Sequence, residues 1–328
     1  MARRTLTKPM AVQRIRPLAF ILATCVAVAA VAQDDIRPQA TPDTPLHAIE
    51  APALISPEIA LPDIEEMSAY SCFTGTADNV ITDPKHTLDP FIDKFIHLLS
   101  TGSGVLRIAH VGDSHVRGHF FPGVVKEKLE ALLGSDAVEH AYRVFDYNTP
   151  GISRETGKDG VVYQVYGING ATAQTFTDSR HITAIGGLSP DLLIVSLGTN
   201  ESMGRTYSAV QHKNQLDQLI RMLADRCPGV PLLLTTPPGN YRRSRGRYEV
   251  NRNVQRAVQT IINYATDKGY AYWDLYHIAG GESRACTNWQ SAGLMQRDHI
   301  HFTKQGYILM GNLLYNAIIK LIKDYARY

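Results

Sequence analysis

Cysteine is scarce in this 328-residue chain, with four in all, and tryptophan is scarcer at two. One of the four, Cys25, falls in an apolar N-terminal stretch, leaving Cys72, Cys227 and Cys286 for the body of the chain. Three thiols close at most one internal disulfide, and their spacing has no metal-site pattern, so a disulfide scaffold and a cysteine-built zinc site are both excluded. Aromatic residues make up only 8%. No basic stripe with interleaved aromatics is present, which removes nucleic acid as an expected partner. Neither sign of charge dominates, since 33 bases meet 31 acids. The N-terminal apolar run, Leu18 to Ala32, is short of the roughly 20 residues a membrane-spanning helix requires. No internal repeat is visible.

What is present begins with a basic, acid-free N-terminus carrying Arg3, Arg4, Lys8, Arg14 and Arg16, then the apolar run, then Ala30-Val31-Ala32. That order predicts a signal peptide over residues 1–32, cleaved before Gln33. Leu22-Ala23-Thr24-Cys25 has threonine where a lipoprotein box carries a smaller residue, and the apolar run continues past the cysteine. Cleavage is therefore expected rather than lipidation at Cys25. Removing the signal takes five bases and no acid, so 28 bases face 31 acids in the mature chain. Its net charge is close to minus three, and the basic character of the precursor says nothing about partners. Residues 33–67 hold six prolines and eight acids against one base, Arg37, and read as an extended linker or arm.

From about Ser68 to Tyr328 the pattern is regular and long enough for one sizeable core. Five short apolar runs predict buried strands: Val105 to Val111, Val161 to Tyr166, Leu192 to Ser196, Pro231 to Thr235, and Ala271 to Asp274. Between and after them lie helical stripes, the clearest running from Val250 through Ala265 and from Tyr307 through Leu321. Strand and helix alternate, so an α/β fold with a five-stranded parallel sheet and helices on both faces is predicted. Sites in such sheets gather at the carboxyl ends of the strands.

Four short pieces sit at those ends or just before the last helix. Gly112-Asp113-Ser114-His115 follows the first strand and presents a serine, a poor nucleophile unless a base takes its proton. Asp298 and His301, three apart before the predicted N-cap Thr303, can hold a carboxylate on one imidazole nitrogen and leave the other for the serine proton. His299 is a rival base, but the i to i+3 spacing suits His301, and His299 is expected to point away. Asn169-Gly170 and Gly198-Thr199-Asn200-Glu201 end the next two strands, where the Gly170 amide and the Asn200 side chain can stabilise an oxyanion. Each piece alone is also an ordinary turn or cap. Their joint occurrence at successive strand ends is what points to an enzyme.

Together these blocks resemble the SGNH hydrolase superfamily, the GDSL-like esterases and acylhydrolases, over roughly Leu106 to Thr303. The resemblance implies a three-layer flavodoxin-like fold and ester hydrolysis through an acyl-enzyme, with no metal and no organic cofactor. It implies Ser114 as nucleophile and oxyanion donor, Gly170 and Asn200 as further oxyanion donors, His301 as base and Asp298 as its orienting partner. Two departures narrow it: His115 stands where Leu is usual, and Glu201 follows the asparagine where Asp is common. This variant resembles peptidoglycan O-acetylesterases and related exported carbohydrate esterases. The implied partner is an acylated carbohydrate polymer, met in a periplasm or outside the cell, without stable membrane insertion.

Further candidates for substrate binding are His115, which either lines the pocket or caps the following turn, Arg205 just beyond the third block, and Tyr241, Arg242 and Arg243 after the fourth strand, where guanidinium groups can bind carboxylates of the kind found on lactyl groups and stem peptides. Arg242 and Arg243, with Arg245 and Arg247, also read as a solvated basic loop before a helix. His110, inside the first strand, is expected to be a buried, hydrogen-bonded residue. No carbohydrate-binding insert fits between the first two blocks, since Phe120 to Tyr163 suffices only for a helix and a loop. The expected activity is removal of O-acetyl groups from peptidoglycan; O-acetyl esterase action on other polysaccharides, acetyl transfer to a sugar hydroxyl, and a glycan-binding protein that has lost turnover are the alternatives.

Overall fold

The computed structural model describes residues 61–63, 72–73, 78–139 and 153–327. The expected signal peptide, Cys25 and all of the expected arm except residues 61–63 lie outside them. The described chain begins with β1 (Ile81–Thr82), α1 (Asp89–Thr101), β2 (Val105–Gly112), α2 (Ser114–Arg117) and α3 (Phe120–Leu133). Next come β3 (Gly160–Gly167), α4 (Ala173–Phe176), α5 (Ser179–Gly187), β4 (Leu192–Ser196), α6 (Thr199–Ser202) and α7 (Ala209–Arg226). The rest is β5 (Leu232–Thr235), β6 (Tyr241–Ser244), β7 (Arg247–Val250), α8 (Arg252–Lys268), β8 (Ala271–Trp273), α9 (Leu275–Ile278), α10 (Gly281–Ser291) and α11 (Lys304–Tyr325).

Among the described residues six strands form the main sheet, in the order β1-β8-β5-β4-β2-β3. The five expected strands are all present and mutually parallel. The expected count of five is corrected to six, because β1 adds to the edge, antiparallel to β8 through Ile81 opposite Trp273 and Thr82 opposite Tyr272. Two residues carry no readable period, so sequence could not announce it. A separate two-stranded hairpin, β6 with β7, replaces the basic loop that followed the fourth expected strand.

The apolar runs form strands because helices cover both faces of the sheet and alternation sends successive side chains to opposite sides. Leu106, Ile108, Ile194 and Leu233 join one core with residues of α1, α3 and α11, including Phe95, Val125 and Leu313. Ala109, Val111, Leu193, Val195 and Leu234 join a second core with residues of α5 and α7, including Ile185, Leu219 and Ile220. His110 lies fully buried among the strands, with Nδ1 2.8 Å from the Tyr163 hydroxyl and Nε2 2.8 Å from Ser196 Oγ. Burial pushes its pKa down to about 3, so it serves the sheet as a neutral connector.

The parallel strands run β3-β2-β4-β5-β8 across the sheet. The chain therefore moves outward from β2 to β3 and then returns to β4 on the other side of β2. Crossovers leave in opposite senses on either side of the β2/β4 boundary, which opens a crevice at the strands' carboxyl ends. At that end β2, β3 and β4 each turn toward a helix of four residues, α2, α4 and α6 respectively. The four sequence blocks lie in this region or lead into α11.

Candidate active site

The end of β2 is shaped by close backbone approach. A Cβ added to Gly112 would stand 2.4 Å from Val116 Cγ2 and 2.6 Å from the Ser196 carbonyl, and one on Gly167 would stand 2.4 Å from the Arg117 amide nitrogen. Glycine at both places lets α2 fold back directly onto the tips of β2 and β3. Asp113 caps α2, its Oδ1 accepting from the His115 amide at 2.9 Å. Ser114 thereby becomes the first helical residue, half-buried at the mouth of the crevice.

The partner residues come from a loop pinched shut before α11. Met295 bridges to Phe302, and the Gln296 amide donates to the His301 carbonyl at 2.8 Å. Within the pinch, Asp298 Oδ1 accepts from the amides of Ile300 and His301, each at 3.0 Å. Its other oxygen, Oδ2, lies 2.6 Å from His301 Nδ1. His301 Nε2 lies 2.9 Å from Ser114 Oγ. Thr303 caps α11 as expected, its Oγ1 accepting from the Gly306 amide. Partial burial pushes the Asp298 carboxyl up, but the hydrogen bond from His301 and the two amides outweigh it, holding it below the ordinary carboxylate range. The expected rival, His299, takes a left-handed φ of 56°. Its ring packs against Tyr241 and Tyr248, with centroids 5.3 and 4.2 Å away.

On the opposite side stand the other two blocks. Gly170 follows β3 with φ of 71° and open space where a side chain would be. Neither its amide nor that of Ser114 finds an acceptor among the described residues. Asn200, in α6, donates through Nδ2 to the Ala171 carbonyl at 2.9 Å and reaches Asp113 Oδ2 at 3.4 Å. One side chain thus touches the first, second and third blocks. Glu201 ties them further: its Oε1 accepts from the Ala173 amide at 2.8 Å and its Oε2 from the Gly198 amide at 3.0 Å. Burial raises the pKa of Glu201. Burial, with Glu201 nearby, also lifts that of Asp113 to about 7.

This cross-linking by Glu201 was not legible from the motif, where it was only an unusual neighbour of Asn200. The structure buries His115 and sets its Nδ1 3.0 Å from the Tyr307 hydroxyl, with its ring 5.6 Å from that of His301. It is a wall behind His301, and burial drives its pKa down to about 3, leaving it neutral. Tyr241 is buried against His299, and its amide donates to the His299 carbonyl at 2.9 Å. Arg242 is half-buried with an unpartnered Nε, whereas Arg243 and Arg205 are exposed. The thiols of Cys72, Cys227 and Cys286 are free of one another.

A serine held against an imidazole, a carboxylate behind the imidazole, and the unpaired amides of Ser114 and Gly170 can together perform acyl transfer. The sequence profile of the GDSL-like lipase/acylhydrolase family matches residues 111–309. The chain belongs to that family. No curated protein matches it in sequence. Among solved structures, a peptidoglycan O-acetylesterase superposes with a TM-score of 0.64 at 16% identity, covering 74% of this chain and 99% of that one. That likeness is one of fold. An acetyl xylan esterase gives 0.47 at 17% identity, over 65% and 100% of the two chains. A lipase/acylhydrolase from Enterococcus faecalis gives 0.46 at 18% identity, over 66% and 96%. For a GDSL-like acylhydrolase the reaction class is carboxylic ester hydrolysis. Among the described residues no helix is long and apolar enough to cross a membrane.

Proposed function

We propose that this protein is an exported serine esterase that removes O-acetyl groups from a carbohydrate, with peptidoglycan as the first substrate. The observation that carries the reading is the unbroken chain Asp298 Oδ2, His301 Nδ1, His301 Nε2, Ser114 Oγ, with links of 2.6 and 2.9 Å. Ser114 Oγ attacks the ester carbonyl carbon as its proton passes to His301 Nε2, while Asp298 stabilises the imidazolium. The negative charge on the carbonyl oxygen meets the free amides of Ser114 and Gly170. Asn200 supplies a third donor by exchanging its long 3.4 Å contact with Asp113 for the oxyanion. His301 then returns the proton to the departing sugar oxygen, leaving an acetyl group on Ser114. Water attacks that ester with His301 again as base, and acetate leaves.

The substrate rests on two supports. The Gly-Asp-Ser-His and Gly-Thr-Asn-Glu forms of the motifs resemble those of carbohydrate esterases, and a peptidoglycan O-acetylesterase shares the fold at a TM-score of 0.64. Export rests on the basic, apolar and Ala-Val-Ala order of residues 1–32, which makes residues 68–328 the catalytic domain and puts it beside such polymers. The test is acetate release from O-acetylated peptidoglycan and from acetylated xylan by the mature protein and by Ser114→Ala. Release by the wild type alone, greater from peptidoglycan, is expected. Equal release by the variant would remove Ser114 as nucleophile, and preference for xylan would reassign the polymer.

A further inference from the structure

Next to the Asp298 to His301 turn stands a feature that the chemistry of ester hydrolysis does not use, the hairpin of β6 and β7. Its two-residue turn, Arg245-Gly246, has φ of 48° and 81°. Both values are positive, as the tight hairpin turn whose twist matches that of its strands requires. Directly opposed residues share a face. Tyr241 with Val250, and Arg243 with Tyr248, therefore occupy one face, while Arg242 with Glu249, and Ser244 with Arg247, occupy the other.

The first face is turned to the active-site loop. His299 packs its ring against both Tyr241 and Tyr248, and its carbonyl accepts from the Tyr241 amide. Its Cα is two residues, so at most about 7 Å, from that of His301. Tyr248 remains 46% exposed despite this packing; among the described residues only Val210 is a more exposed large apolar or aromatic side chain. Arg243, its cross-strand partner, is exposed, as is Arg245 at the tip. The hairpin carries four arginines and one glutamate. Among the described residues none of those arginines has a carboxylate partner. Cross-strand Arg242 and Glu249 are not paired either.

An open aromatic ring suits the apolar C–H face of a sugar, because the negative face of the ring attracts those weakly positive hydrogens. Unpaired guanidinium forks suit carboxylates, which they hold through two parallel hydrogen bonds. The geometry points to this hairpin as a recognition arm for an acetylated glycan that carries carboxylates. Tyr248 takes a sugar ring beside the acetylated one, and Arg243 and Arg245 take the acidic groups. This rests on the esterase reading of the Ser114 site and adds to it the charge class of the substrate. A neutral acetylated polymer leaves the forks without a partner and gains only the aromatic contact.

The experiment compares an O-acetylated muropeptide, the same compound with its carboxyls amidated, an acetylated uronate oligomer and a neutral acetylated xylo-oligosaccharide. Acetate release is measured for wild type, Arg243→Gln, the double variant Arg243→Gln/Arg245→Gln and Tyr248→Ala. For wild type, kcat/KM on the free-carboxyl muropeptide is expected to exceed that on the neutral oligomer at least tenfold. Raising salt from 50 to 500 mM is expected to erase most of that ratio by screening. The double variant is expected to lower the ratio about tenfold, and Tyr248→Ala to raise KM for acidic and neutral glycans alike. Loss of preference on amidation identifies the peptide as the source of the carboxylate, and preference for the uronate oligomer identifies the sugar. A ratio unmoved by salt and by both arginine variants would overturn the proposal. Calorimetric titration of Ser114→Ala, with and without the arginine exchanges, reads the same preference without turnover. If wild type releases no acetate, the esterase reading fails, while the calorimetric preference still decides for or against the hairpin.

Discussion

His301 stands between Asp298 and Ser114 with one ring nitrogen committed to each, at 2.6 and 2.9 Å. Because Asp298 also accepts two backbone amides through its other oxygen, the carboxylate cannot turn without breaking the loop that holds it. Asp298→Asn is therefore expected to leave the fold intact but remove the charge that orients and stabilises the imidazolium. Turnover of p-nitrophenyl acetate should fall roughly 10²- to 10⁴-fold in kcat, with KM moving little. A fall confined to KM would show that Asp298 binds substrate rather than serving His301.

Asn200 combines a structural contact with a proposed chemical one. Its amide is fixed by the Ala171 carbonyl at 2.9 Å, and loss of one such hydrogen bond costs about 1 kcal/mol. Asn200→Ala is thus expected to lower the thermal midpoint by only a few degrees, while kcat drops by about 10²-fold or more. Parallel measurement of unfolding and of ester turnover separates the two effects. An unchanged kcat would take Asn200 out of the oxyanion site.

The five parallel strands and the meeting of Ser114, Asp298 and His301 were legible from sequence, because each depends on local signals. Val105 to Val111 is a short apolar run that ends in glycine, and Asp298 and His301 share a turn by spacing alone. What was not legible depends on contacts between distant segments. β1 is two residues long and is defined by its pairing with Tyr272 and Trp273. The β6/β7 hairpin hides its alternation under arginines and places Arg245, rather than the usual asparagine or aspartate, at a left-handed turn position. Glu201 reads as a neighbour of Asn200, yet its carboxylate spans to Ala173, 28 residues earlier.

That span gives Glu201 a testable role. Two buried amides from separate loops donate to its two oxygens. Glu201→Gln turns one oxygen into an N–H donor, which then faces another donor. The cost of leaving a buried donor unsatisfied is about 1–3 kcal/mol. Denaturant unfolding is expected to show a loss of that size. The loops bearing Gly170 and Asn200 should loosen together, lowering kcat more than it raises KM. Stability equal to wild type would mean that the bridge contributes nothing.

Asp113 makes stability depend on pH in a direction opposite to that of an ordinary paired carboxylate. Burial lifts its pKa from an ordinary 3.8 to about 7 in the folded chain. Between those two values the folded state holds a proton that the unfolded state has released. The stabilising contribution is therefore complete below about 4 and is lost as pH rises through about 7. The full span corresponds to about 4 kcal/mol. Asp113→Asn keeps an oxygen to accept from the His115 amide and has no charge to bury. His110, His115 and His212, all pushed down to between about 3 and 4 by burial, titrate alike in both proteins and cancel in the difference. The variant should accordingly gain on wild type as pH rises, exceeding it in denaturant unfolding by clearly more at pH 8 than at pH 5. A difference that does not change between the two pH values would mean that the Asp113 carboxyl titrates in its ordinary range.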